Sequence, residues 1–160
     1  MKILAATDLS EDTRHMVDFT AKLVKQCGSK MYLLHMVPPC MMDVNNLLPR
    51  EDFTEGLAVD VSPTFSCPDS LLASTDARVK KLADEVREKW QVPIYGKAEE
   101  ADDLIECLND FCERHKIDML VINNRQHSLL GSLLLGNTTE KIMRHSRIPI
   151  VVVPSAPLQK

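Results

Sequence analysis

Five short apolar runs recur along this chain, and four segments between them repeat their apolar residues at helical spacing. The runs are Ile3 to Thr7, Met31 to Val37, Val92 to Ala98, Met119 to Ile122 and Ile150 to Val153. Each is too short for a helix that must bury a face, and all but Val92 to Ala98 are bounded on at least one side by Pro, Asp or Asn, so they read as strands. A strand followed by a helix returns to the same end of the sheet, which makes neighbouring strands parallel. Crossovers of the usual right hand then put helices on both sides. The order of elements therefore predicts an α/β fold: a single doubly wound, five-stranded parallel sheet with helices on both faces.

The helical segments carry their own punctuation. Ser10 is placed to cap a helix whose stripe is Met16, Phe19, Leu23, Val24 and Cys27, with Gly28 where a C-cap glycine belongs. A second stripe runs through Leu72, Val79, Leu82, Ala83, Val86 and Trp90. Pro93 sits in the third strand, where it fits an edge position. A third stripe is Leu104, Ile105, Leu108, Phe111 and Cys112, with Glu99, Glu100, Asp102 and Asp103 crowding the end that the helix dipole makes positive. Asn137 and Glu140 have the spacing of a capping box for the fourth helix. Cys40 to Pro68 has no sustained period and reads as a lid, a partner surface or a disordered segment. The chain is read as one domain over residues 1–160, with an irregular excursion at about 38–69.

Composition removes several functions. A chain of 160 residues can bury roughly 70% of its unfolded surface, enough for one core without metals or disulfides. A net charge of −4 gives no general attraction to nucleic acid or to anionic lipid. No stretch approaches the ~18 apolar residues of a membrane span, and the first run, cut off by Asp8, is too short for a secretory signal. The five cysteines, an odd count without paired spacing, predict reduced thiols and a cytoplasmic setting. No Cys/His set has the close spacing of a structural zinc site.

Doubly wound sheets bind ligands beyond the carboxyl ends of their strands, which directs attention to Thr7-Asp8, Met36-Val37 and the stretch from Asn123 to Gly136. No dinucleotide glycine motif, Lys-Ser/Thr phosphate loop or nucleophile elbow occurs there or elsewhere, so the expectation is a protein that is not an enzyme. Asp8 fits either a ligand contact or a helix cap. His35, inside an apolar strand, reads as a hydrogen-bonded structural histidine.

The opening Ile3-Leu4-Ala5-Ala6-Thr7-Asp8-Leu9-Ser10, the run Leu33-Leu34-His35-Met36-Val37 and the segment from Asp118 to Pro154, with Leu135-Gly136-Asn137-Thr138-Thr139-Glu140 at its centre, resemble the universal stress protein family. The resemblance implies the adenine-nucleotide alpha-hydrolase-like sheet in order 3-2-1-4-5, and a homodimer with the last strand, Ile150 to Val153, at its axis. Nucleotide-binding members carry Gly-x-x-Gly, nine residues, then Gly-Ser or Gly-Thr after the fourth strand, so that backbone amides approach the phosphates closely. Counted back from Gly136, the earlier glycine positions fall on Asn123 and Gln126, and the hydroxyl position falls on Asn137. The motif is therefore degenerate. Asp8 matches the carboxylate that contacts nucleotide in binders, and Met36 the residue beside the adenine; Ala6 and Thr7 lead into Asp8. Arg125 and His127 add positive charge, and Thr138 adds a hydroxyl. The candidate nucleotide or anion site is thus Ala6, Thr7, Asp8, Met36, Asn123, Arg125, Gln126, Gly136, Asn137 and Thr138. The expected function is a non-catalytic, homodimeric stress-response protein with altered or lost ATP binding. The alternative is an ATP or AMP switch, with Mg²⁺ and at most slow hydrolysis.

Overall fold

A computed structural model of the chain describes residues 1–10, 13–38, 69–124 and 137–154. Its elements alternate as β1 (Lys2–Thr7), α1 (Thr13–Cys27), β2 (Lys30–Val37), α2 (Asp69–Trp90), β3 (Ile94–Glu100), α3 (Leu104–His115), β4 (Met119–Asn124), α4 (Asn137–His145) and β5 (Ile150–Pro154). The five strands form one sheet in the order β3-β2-β1-β4-β5, and every pairing is parallel. Expected class and strand order are both as observed.

Alternation along the strands divides the core in two. Ile3, Ala5, Leu33, Val121 and Val153 turn to one face, where Met16, Val17, Ala21 and Val24 of α1 meet Val79, Ala83 and Val86 of α2. Leu4, Leu34, Leu120 and Ile122 turn to the other, against Leu108, Phe111 and Cys112 of α3 and Ile142 of α4. β4, between β1 and β5, buries Leu120, Val121 and Ile122, as a central parallel strand must. Gly28 takes the left-handed φ of 59° that ends α1, and Ser29 N donates to Val24 O there.

Three local readings need correction. The buried face of α1 is Thr13, Met16, Val17, Thr20, Ala21 and Val24, whereas Phe19 is 41% exposed and Cys27 lies at the surface. Small residues let α1 sit close to the sheet, and the buried Thr20 hydroxyl is satisfied by Met16 O at 2.8 Å. The third strand starts two residues later than its apolar run, because Pro93 precedes it and offers only its carbonyl, to Met31 N at 2.9 Å. The acidic cluster is also split. Glu99 and Glu100 belong to β3, while Asp103 caps α3 by accepting from the amides of Ile105 and Glu106. No residue between Ala98 and Asp103 adopts a positive φ, so this β3–α3 turn needs no glycine.

Glu99 illustrates how that edge is held. Burial, the largest influence, pushes its carboxyl up, but hydrogen bonds and charge from Arg114 and Lys97 outweigh it and hold it below the usual carboxylate range. Arg114 Nη2 lies 2.7 Å and Lys97 Nζ 3.1 Å from its oxygens. This network ties α3 to β3, away from the reversal of strand order.

Candidate functional site

That reversal lies between β1 and β4, whose carboxyl ends are Thr7 and Asn124. Thr7 is buried. Its carbonyl meets His35 Nδ1 at 2.8 Å, so His35 is the hydrogen-bonded structural histidine read from the sequence. Thr7 Oγ1 accepts from Leu9 N at 2.9 Å, in a turn that holds Leu9 at φ 59°. A leucine in this region is uncommon, because Cβ crowds the following carbonyl.

Asp8 follows, exposed at the rim. Its Oδ1 accepts from Ser10 N at 2.9 Å, Ser10 Oγ at 2.6 Å and Thr13 Oγ1 at 2.6 Å. The carboxylate therefore organises the entry to α1, and Ser10 spends its hydroxyl on Asp8. An oxygen with three donors has no capacity left for a cation, so this atom does not fit Mg²⁺. Among the described residues no group of three or more His, Cys, Asp or Glu could hold a metal ion.

At the end of β4, Asn123 pairs in register with Val153 and so shares the α1/α2 face. Both its amide nitrogen and its amide oxygen are buried, without a hydrogen-bond partner among the described residues. Each such orphaned group costs about 1–3 kcal/mol. The Asn123 carbonyl faces α4, where the buried Thr139 donates Oγ1 to it at 3.4 Å. Asn123→Ala is accordingly expected to raise the stability of the ligand-free protein by about 1 kcal/mol in urea denaturation. A loss of that size would show that the amide has a partner.

The remaining candidates do not converge on one surface. Ala6 and Met36 are half-buried on the opposite, α3/α4 face of the sheet, whereas Thr7 and Asn123 lie on the α1/α2 side by alternation. Thr138 is exposed in the first turn of α4, and it is Thr139 that reaches the end of β4. Asn137 opens α4. Arg125, Gln126, His127 and Gly136 lie outside the described residues, as do Cys40 and Cys67. Sequence reasoning missed the strained Leu9 and the orphaned state of Asn123; neither conformation nor lack of a partner has a local sequence signal.

Nucleophile chemistry finds little support in the two thiols of α3. Burial pushes Cys112 up to about 11, and burial followed by the charge of Glu99 raises Cys107. Both stay protonated near neutral pH, the unreactive form. No helix among the described residues is long and apolar enough to cross a membrane.

With this geometry in hand, similarity to known proteins is informative. The model of the universal stress protein family matches residues 1–154. A universal stress protein A homolog of Haemophilus influenzae is 29% identical over 152 residues, covering 95% of this chain and 94% of its own. Among solved structures, a universal stress protein in complex with cAMP superposes with a TM-score of 0.65 at 15% identity, covering 98% of both chains. One from Archaeoglobus fulgidus in complex with dAMP gives 0.64 at 13% identity, covering 95% of this chain and 96% of its own. At these identities the superpositions speak for the fold.

Proposed function

Since the chain belongs to the universal stress protein family, we propose that it is a non-catalytic stress-response protein, cytoplasmic and homodimeric, in which ordinary ATP binding is altered or lost. Asn123 carries the reading. Nucleotide-binding members of the family have glycine where this chain has a side chain, and here the amide of that side chain is buried at the end of β4. It fills space that a phosphate would otherwise take between backbone amides. Asp8, the other family contact, has one oxygen fully engaged in the entry to α1. β5 supports the dimer, because among the described residues it pairs only with β4 and leaves its outer edge open along half-buried Ile150, Val151 and Val152.

A second reading has an observation of its own. Solved universal stress proteins of the same fold are in complex with cAMP and dAMP. Thermal unfolding with and without millimolar ATP, AMP or cAMP, each with Mg²⁺, separates the two. The proposal expects no saturable shift with ATP and Mg²⁺, no ATP turnover and a dimer in sedimentation equilibrium. A nucleotide present at ten times its dissociation constant would stabilise the fold by about 1.4 kcal/mol. Such a shift, removed by Asp8→Ala, would establish the switch reading instead.

A further inference from the structure

Beside the β1–α1 turn, on the α2 side of Asp8, lies a cleft of about 250 Å³ whose walls are Leu9, Ser10, Arg14, Arg78, Lys81 and Glu85, with Leu82 behind. Among the described residues its charge is not fully compensated, for a specific reason. The other cations of α2 have carboxylate partners: Lys80 pairs with Asp76, Arg87 with Asp84 and Lys89 with Asp18. Arg78 and Lys81, one helical turn apart, have none among the described residues, and both border this cleft. The cleft's carboxylate, Glu85, is matched by Arg14 at 3.2 Å across it. Among the described residues that line the cleft, two positive charges therefore remain. By contrast, the cleft between α3 and α4 sets Asp103, Glu106 and Asp110 against Lys141 and Arg147, with His145 beside them, and so carries no excess of positive charge.

We propose that the cleft between the start of α1 and the middle of α2 binds a phosphate group, held by Arg14, Arg78 and Lys81. A dianion matches the two unpaired charges. Guanidinium groups match the planar spacing of phosphate oxygens and bind them bidentately, while Lys81 adds a point charge. The Arg14–Glu85 pair is exposed and worth little, so Arg14 turns to an anion at small cost. The volume is below that of a typical whole-ligand pocket, which favours a phosphate or a single phosphoryl group over an entire nucleotide. The inference does not rest on the nucleotide reading, since none of its residues belongs to the proposed nucleotide site.

The test is an amide chemical-shift titration of the full chain with inorganic phosphate, and separately with AMP, at fixed ionic strength set with chloride. Phosphate should shift Ser10 and the Arg78–Lys81 turn saturably. Arg78→Glu with Lys81→Glu should weaken binding at least about tenfold, as expected on losing two charge-assisted partners. Lys22→Glu with Lys25→Glu makes the same change in net charge on an exposed stretch of α1 and should leave the affinity nearly unchanged. AMP binding more tightly than phosphate at these amides would support a phosphoryl group on a larger molecule; equal affinity would support free phosphate. Absence of saturation, equal weakening by the two double variants, or loss on Asp8→Ala with Arg78→Glu/Lys81→Glu still binding would each overturn the proposal. All four lysine and arginine side chains are exposed, so the variants are expected to fold, and circular dichroism checks this.

Discussion

Replacing Phe111 by alanine is expected to lower the stability of the fold by about 3–5 kcal/mol. Phe111 is 2% exposed and is the aromatic centre of the core on the α3/α4 face. Its ring lies 4.2 Å from that of His115 and meets Tyr32 edge-on at 6.2 Å, with the Arg114 guanidinium 5.7 Å away. Truncation removes the apolar transfer energy and leaves a void whose far wall is the sheet, which cannot close on it. α3 is held to the sheet by Leu108, Phe111 and Cys112, so the loss should appear in urea unfolding as a lower midpoint with an unchanged slope. A loss below about 1.5 kcal/mol, the range of volume-conserving swaps, would mean that neighbouring rings collapse into the space.

Gly96→Ala should cost nearly as much on the other face, by crowding instead of emptying. A Cβ at Gly96 would stand 2.8 Å from the carbonyl oxygen of Val79 and 2.9 Å from the Cβ of Ala83. Overpacking of this kind costs about 1–3 kcal/mol, and the upper end applies because the first obstacle is helix backbone. For a chain of this size that is about 2–4 °C of melting temperature per kcal/mol. Adding Ala83→Gly should recover only a small part, since it leaves the Val79 carbonyl in place. A neutral Gly96→Ala would show that α2 slides over β3. In that case Arg78 and Lys81 would move with it, and the phosphate titration would report the shift.

The elements of this fold were legible because each has a local cause. Gly28 ends α1 because a positive φ is cheap only there, and β4 reads as central because Leu120, Val121 and Ile122 leave no polar side to expose. What misled was size taken for burial. Phe19 outranks Thr20 and Ala21 in apolarity, yet α1 approaches the sheet closely enough that only the small residues fit beneath it. The acidic stretch from Glu99 to Asp103 misled differently. Charge at a helix N-terminus is favourable, but so is Glu99 in β3 beside Lys97 and Arg114, and only the packing of α3 chooses between them.

The candidate site was legible in part. Its location followed from the alternation of elements, since a doubly wound sheet gathers loops at the strand ends where its order reverses. Asn123 and Asp8 could be named from the sequence as occupants of that place. Their states could not. That Asp8 gives Oδ1 to three donors, that the Asn123 amide meets none, and that Arg78 and Lys81 face Arg14 across a cleft all depend on atoms brought together from distant parts of the chain. Element type and order come from interactions within a few residues, so the sequence by itself determined the class of sheet and the family. Partnership between side chains depends on how helices pack on that sheet to within about 1 Å, because a hydrogen bond weakens steeply beyond its short range; only the tertiary structure decided it.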